Sequence, residues 1–264
     1  MQQLVVEPLT RQSGATQVST VVQTSSTSTR FPIVVADPTS GWTAEGSEID
    51  VSDPDIDELN VVPKKLAALV VASNELIADS DPSAMQVVGD GVVRDLQVRL
   101  DAAHFGSPVA DGPNGLGSLT SVQHVSAGGS FADLNAFAEG LSNLETVDSS
   151  PTRSFVAHPN TLLALSELKV ADTWNLPLLG PDATSPTKRS ILGVPVYWSP
   201  AESASTVWLV SQAKSFVVMR QPTSLVVDDS AYFRSDRVGI RCTMRVGFAW
   251  PHQAAVVKIS AGGS

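Results

Sequence analysis

Between Arg237 and Trp250 the sequence alternates without a break. Val238, Ile240, Cys242, Met244, Val246, Phe248 and Trp250 fall on one parity; Arg237, Gly239, Arg241, Thr243, Arg245 and Gly247 fall on the other. A period of two sustained this long predicts one long β-strand with an apolar face and a cationic face. Such a strand needs a sheet beside it and a layer beneath it. The chain must therefore build a substantial core while presenting Arg237, Arg241 and Arg245 on its outer side. Cys242 lies on the apolar parity and reads as a small buried hydrophobe, not a nucleophile.

A long helix is expected as well. Asp81-Pro82 is a helix start signal, and Met85, Val88, Val92, Leu96, Leu100 and Ala103 step by three and four up to Phe105. At 1.5 Å per residue, a helix over 82–105 is roughly 35 Å long. A second helix is expected from Ser130 to Leu144, on Leu134, Phe137, Leu141 and Leu144, and a third over 159–169. Strands are expected at 31–35, 153–157, 191–198, 206–211, 214–219, 224–229 and 254–259, with an apolar strand at 63–72 running into a short helix from Ser73. Residues 106–129 and 180–190 read as loops. The order of elements gives an α+β chain, and 264 residues suffice to bury a core without a disulfide.

Charge is distributed unevenly. Residues 45–58 hold Glu45, Glu48, Asp50, Asp53, Asp55, Asp57 and Glu58 and no cation. Strand-like flanks at 31–35 and 59–62 make this the acidic far end of a long projecting hairpin. Seven like charges have no place inside one subunit. An EF-hand is the weaker reading, because no frame offers glycine at the sixth loop position and glutamate at the twelfth. Residues 1–30, rich in Thr, Ser and Gln, read as an extended arm that gains order only against something else. The hairpin carboxylates are expected to meet cations of a neighbouring copy: Lys64, Lys65, Arg153, Arg234, Arg237, Arg241 and Arg245 are the candidates.

Catalysis finds no support. His104, His124, His158 and His252 are scattered and read as surface or capping residues. No Gly-x-Ser-x-Gly elbow is present, and the Gly112–Ser118 stretch lacks the Gly-Lys-Ser/Thr ending of a phosphate loop. One cysteine excludes an internal disulfide and a cysteine-based zinc site. No catalytic, cofactor-binding or metal site is assigned. A net charge of −10 argues against general nucleic-acid binding. No run of about 18 apolar residues suggests a membrane span, and Met1–Val5 does not open a secretory signal, so folding in a cytoplasm is expected.

Three segments then carry a likeness. Val62-Pro63-Lys64-Lys65-Leu66-Ala67 is followed by Val71-Ala72-Ser73-Asn74-Glu75-Leu76-Ile77-Ala78-Asp79-Ser80 and the long helix. Phe155-Val156-Ala157-His158-Pro159-Asn160-Thr161-Leu162 leads into Leu165 through Lys169, and Leu192-Gly193-Val194-Pro195-Val196-Tyr197-Trp198-Ser199 comes later. In this order and spacing the chain resembles the major capsid proteins of tailed bacteriophages from about residue 30 to 259. The resemblance implies an N-terminal arm (1–30), an extended loop (31–62), a peripheral domain holding the long spine helix (63–110) and the long strands (216–250), and an axial domain (111–215) rejoined by 251–264. It places the 112–129 and 180–190 loops near the fivefold and sixfold axes.

The function so implied is a shell subunit that assembles through hexamers and pentamers around double-stranded DNA, in a virion built in a bacterial cytoplasm. Its partners would be copies of itself, with separate scaffolding, portal and decoration proteins as further candidates. Packaged DNA would be touched only weakly and non-specifically by an acidic lining, and no membrane is involved. An encapsulin-like nanocompartment enclosing an enzyme cargo is the alternative; an enzyme of unassigned class is a third. Some family members cross-link covalently through an extended-loop lysine, an asparagine acceptor and a glutamate base. Here residues 31–62 contain no lysine, Asp236 falls at the acceptor position, Thr243 falls where the glutamate would lie, and no asparagine follows Asn175. No autocatalytic isopeptide bond is expected. Many family members begin with a cleaved scaffolding segment, for which there is no room before the arm; the expectation is a separate scaffolding protein or, alternatively, that this chain is a mature fragment.

Overall fold

The computed structural model describes residues 13–36, 38–46, 48, 51–53, 55–75, 84–148, 150–171, 174–177, 179 and 189–262. The alternating segment forms one strand, Arg237–Ala249, called β13 here. Every apolar residue from Val238 to Trp250 on its inward parity is buried, and Arg237, Arg241 and Arg245 are exposed. Cys242 is fully buried, and burial pushes its thiol pKa up, as expected of an inert core sulfur.

In chain order the helices are α1 (Gly14–Val18), α2 (Ala84–Phe105), α3 (Asn135–Val147) and α4 (Pro159–Glu167). The strands are β1 (Thr20–Thr24), β2 (Thr29–Ala36), β3 (Asp55–Val61), β4 (Lys64–Ser73), β5 (Gln123–Ser126), β6 (Arg153–Ala157), β7 (Lys169–Ala171), β8 (Trp174–Pro177), β9 (Arg189–Ile191), β10 (Val194–Trp198), β11 (Thr206–Ser211), β12 (Phe216–Asp228), β13 and β14 (Val256–Ser260). They form a four-stranded sheet, β1-β12-β13-β4; a six-stranded sheet, β5-β14-β11-β6-β10-β9; and two ribbons, β2-β3 and β7-β8. Among the described residues no helix is long and apolar enough to cross a membrane.

Helix α2 lies under the four-stranded sheet. Val92, Leu96, Leu100 and Ala103 are buried with Cys242, Met244, Val246, Val217 and Met219 in one cluster. This is the expected stripe; the side chain of Met85 lies outside the described residues. The six-stranded sheet packs on α3 and α4 through Phe137, Leu144, Phe155, Leu162, Leu165, Leu209, Val257 and Ile259. Phe137 meets Phe155 edge-on at 5.6 Å. A third, small cluster of Val61, Val218 and Ala249, with Phe31, Leu59 and Phe216 against it, seats the root of the β2-β3 hairpin on the end of the four-stranded sheet.

Several expectations are corrected. Residues 13–24 are not an arm waiting for a partner. Helix α1 buries Ala15 and Val18, and β1 adds in parallel to the edge of β12 from Thr20↔Phe216 to Thr24↔Arg220. The cause is polar and was invisible to periodicity. Asp101 on α2 accepts hydrogen bonds from Ser13 Oγ (2.6 Å), Gly14 N and Ala15 N (both 3.1 Å), capping α1 from outside. His104, one turn on, is buried and not a surface or capping residue; its Nε2 meets Ser19 Oγ at 3.2 Å, which in turn meets Ser215 Oγ at 2.7 Å. Residues 1–12 of the expected arm lie outside the described residues.

Helix α3 begins at Asn135, not Ser130, because Asp133 accepts from Asn135 N at 2.9 Å and holds a turn just before the helix. The expected strand 191–198 is a hairpin: Leu192 (φ 52°) and Gly193 (φ 79°) form a two-residue turn between β9 and β10. The expected strands 214–219 and 224–229 are one strand, β12, with its register interrupted between Arg220 and Ser224. The last strand starts at Val256, after a 3-10 turn over Gln253–Ala255. Of the short helix expected from Ser73, only Asn74 and Glu75 are described as helical, and most of the 180–190 loop lies outside the described residues.

Gly247 marks the hairpin root. A Cβ there would stand 2.7 Å from Val61 Cγ1 and 3.4 Å from the Pro63 backbone. Gly247→Ala is expected to lower stability by about 1–3 kcal/mol, read as a lower urea midpoint of the isolated subunit. An unchanged midpoint would mean that the root yields freely.

Candidate subunit interface

The expected hairpin is present, but its second strand starts at Asp55 and not at Leu59, so Asp55, Asp57 and Glu58 lie on the paired strand and not beyond it. Strands β2 and β3 pair antiparallel from Thr29↔Val61 to Ala36↔Asp55. One of its faces carries Arg30, Asn60, Pro32, Glu58, Val34 and Ile56, all exposed; the other carries Phe31 and Leu59, which turn into the root cluster. Beyond the strands, Trp42 is 106% exposed and Val51 91%.

Of the seven carboxylates, Glu45, Glu48, Asp53, Asp55, Asp57 and Glu58 are exposed; Asp50 lies outside the described residues. Glu58 meets Arg30 at 3.3 Å, a pair with 70% and 61% of its side chains exposed and correspondingly little energy. Arg30 is a partner that counting within 45–58 does not reveal; it sits directly across the ribbon, next to the register position of Glu58.

The cations divide into groups. Arg153 is engaged within its own subunit, 2.7 Å from Glu145 and only 16% exposed at its side chain. Arg234 is exposed in the turn between β12 and β13, and Lys64 at the start of β4. The others share the outer face of the four-stranded sheet, where register decides their company. Arg245 stands opposite Lys65 on one side and Arg220 on the other, so three cations lie in one row across β4, β13 and β12. Arg220 was not among the residues singled out from the sequence, because only the register shows it to be in line. Arg241 stands between Leu69 and Val226, and Arg237 opposite Ser73.

Like charges directly across a sheet repel. Among the described residues, no carboxylate lies within ion-pair distance of Lys65, Arg220, Arg241 or Arg245; the pairs formed are Arg30–Glu58, Arg99–Asp95 and Arg153–Glu145. The row lines a concavity of about 270 Å³ with Ser224 and Thr243. Arg241 is not without influence: with the hydroxyl and amide of Ser230, it holds the Asp228 carboxyl below its usual range. Asp236, at φ 50°, accepts from Asn74 Nδ2 at 2.6 Å, and Thr243 sits half-buried between the cationic row and Arg241. The chain thus carries an acidic projection and a separate cationic sheet face.

A family model described as the phage capsid family matches residues 1–261. The chain belongs to the phage capsid family. No curated protein gives a match. Among solved structures, the capsid of a native GTA particle aligns with a TM-score of 0.74 at 21% identity, covering 97% of this chain and 90% of that one. A chain of Mycobacterium phage Bobi aligns at 0.71 with 14% identity, covering 96% and 91%, and one of Gordonia phage Cozz at 0.74 with 14%, covering 96% and 87%. The α+β capsid fold expected from the sequence is therefore present across nearly the whole chain. The capsid subunit is a structural protein of the virion shell.

Proposed function

We propose that this chain is the major capsid protein of a tailed phage, assembling non-covalently through hexamers and pentamers around the genome, with the hairpin of one subunit held by the cations of the next. Membership of the family supports the shell. The observation that carries the contact is the row Arg220–Arg245–Lys65, three cations in register with no carboxylate of their own. Glu45, Glu48, Asp50, Asp53, Asp55 and Asp57 are the neighbour's complement, and Lys64, Arg234, Arg237 and Arg241 flank the row.

The divisions we assign are an arm (1–30), an extended loop (31–62), a peripheral part (63–110, 216–250) and an axial part (111–215, 251–264); the packing of α2 on β4, β12 and β13 supports the peripheral part and that of α3 and α4 on the six-stranded sheet the axial part, whereas β1 of the arm adds to the edge of the first sheet. Assembly takes place in the bacterial cytoplasm. Scaffolding, portal and decoration proteins are the separate partners such a shell takes, and DNA meets its acidic lining weakly. The capsids among the solved neighbours favour this reading over an encapsulin-like cargo shell.

Expression followed by negative-stain microscopy tests it: closed shells are expected, and a lone globule on size exclusion would refute it. Particles boiled in denaturant with reductant should run as monomer alone. A ladder of multiples would overturn the non-covalent part.

A further inference from the structure

The four-stranded sheet carries β1 at one edge; at the other, β4 has among the described residues a strand partner on one side only, β13. From Lys64 to Val70, alternate residues of this edge turn their backbone donors and acceptors away from β13, the usual template for a strand from another chain. Beside this edge runs a groove of about 750 Å³. Consecutive residues Leu66 to Val70 form one wall, so the groove follows the edge and not a single face; Val88, Gly91, Val92 and Leu96 of α2 form the other, with the Asp95–Arg99 ion pair also lining it. The core is unfinished here. Leu66, Ala68 and Val70 point inward yet are only half-buried, Val87 is 54% exposed, and a Cβ built on Gly89 would meet nothing within 4 Å.

The hairpin ribbon has the complementary defect. Strand β3 pairs with β2 and has no second neighbour among the described residues, and a two-stranded ribbon is marginal alone. Its sequence fits the edge of β4 in one antiparallel register. With Glu58 opposite Lys64 and Asp57 opposite Lys65, Ile56 falls opposite Leu66 and Asp55 opposite Ala67. Ile56 and Leu66 then share the groove side over α2, and Asp57 and Lys65 share the outer side beside Arg245. A slip of one residue would turn Asp55 or Asp57 into the groove against Leu66, where an unpaired carboxylate is costly. A slip of two would lose at least one of the two charge pairs. Within one subunit this pairing does not occur: β3 ends at Val61 in the root cluster, and the chain turns at Val62-Pro63 into β4.

We infer that the free edge of β4 receives β3 of a second copy, antiparallel in this register, so that the neighbour's hairpin extends the four-stranded sheet. This rests on the reading that the hairpin serves a neighbouring subunit and specifies how it is held. Side-chain docking on the sheet face and strand addition at its edge differ in what they do to backbone amides: only the second pairs them.

Amide hydrogen exchange of assembled particles, compared with dissociated subunits of the same full chain, needs no substitution. Alternate amides between Lys64 and Ala67 are expected to slow by roughly a hundredfold on assembly. Particles whose peptides covering 64–67 exchange as in the free subunit would overturn the edge pairing while leaving the hairpin–neighbour reading standing. That reading itself falls only if hairpin charge reversal leaves shells intact. A second test uses charge exchange. Glu58→Lys and Lys64→Glu should each lower particle yield, and the two together should restore it. Restoration by Glu58→Lys with Arg245→Glu instead would move the hairpin onto the face and refute the register.

Discussion

Asp53→Lys, Asp55→Lys and Asp57→Lys, made together, should abolish shells and leave a folded subunit. All three side chains are exposed and none is in an ion pair within the chain among the described residues, so each substitution changes subunit stability by only about 0.5 kcal/mol. At the proposed contact the same changes set six units of altered charge against Lys65, Arg220 and Arg245, and like charges pressed together at an interface cost several kcal/mol. Closed symmetry repeats that cost at every contact. Microscopy should show no particles, and the variant should melt with the wild-type subunit. Salt offers an independent reading: at about 1 M the screening length falls to roughly 3 Å, so assembly of the wild type should weaken as well. Normal shells from the triple variant would end the electrostatic account.

The second large effect is acid sensitivity from His104. Its ring is buried against Phe105, Phe248 and Trp250, with centroids 4.7, 4.8 and 5.4 Å away, and burial lowers its pKa from 6.5 to about 3. An unfolded chain takes the proton near pH 6.5, whereas the folded chain refuses it until about pH 3. His104 therefore contributes stability that is whole above pH 6.5 and is lost as pH falls towards 3; by pH 4 the loss is about 3 kcal/mol. Asp101 works in the opposite sense, because burial raises its carboxyl and the folded state gains relative to the unfolded one as it protonates. Urea unfolding of the dissociated subunit at pH 7 and pH 4 should show the difference. His104→Phe keeps the aromatic packing and removes the proton site, so the variant should lose about 3 kcal/mol less than the wild type over that interval. His104→Gln serves where the phenyl ring does not fit. Equal losses in wild type and variants would show that His104 is not the acid-sensitive group.

What the sequence made legible follows from periodicity. The strict alternation at 237–250 and the three-four stepping of Val92, Leu96, Leu100 and Ala103 are one-dimensional records of a buried face, and both elements stand where the pattern puts them. The hairpin was legible because two apolar flanks enclosed a charged middle. The base of the arm was not. Residues 13–19 are small and polar, and their burial depends on Asp101 and His104 some 85 positions away, residues that break no pattern on α2 because they lie beside its apolar stripe. The cationic row was half legible: alternation placed Arg241 and Arg245 outside, but only strand register reveals that Arg220 and Lys65 stand in line with Arg245. Arg153 shows the reverse error, since a lone arginine at a strand start gives no hint that Glu145 waits in the last turn of α3.

The small cluster at the hairpin root has a mechanical consequence. Val61, Val218 and Ala249 clamp one end of the ribbon, while among the described residues no buried cluster holds the other. Eight residues of β2 at about 3.3 Å each make a lever roughly 25 Å long. A tilt of about 10° at the fulcrum, within what a few apolar contacts absorb, swings the far end by roughly 4 Å, about the spacing of adjacent strands. One rigid body with one soft pivot can thus follow surfaces of differing curvature without refolding.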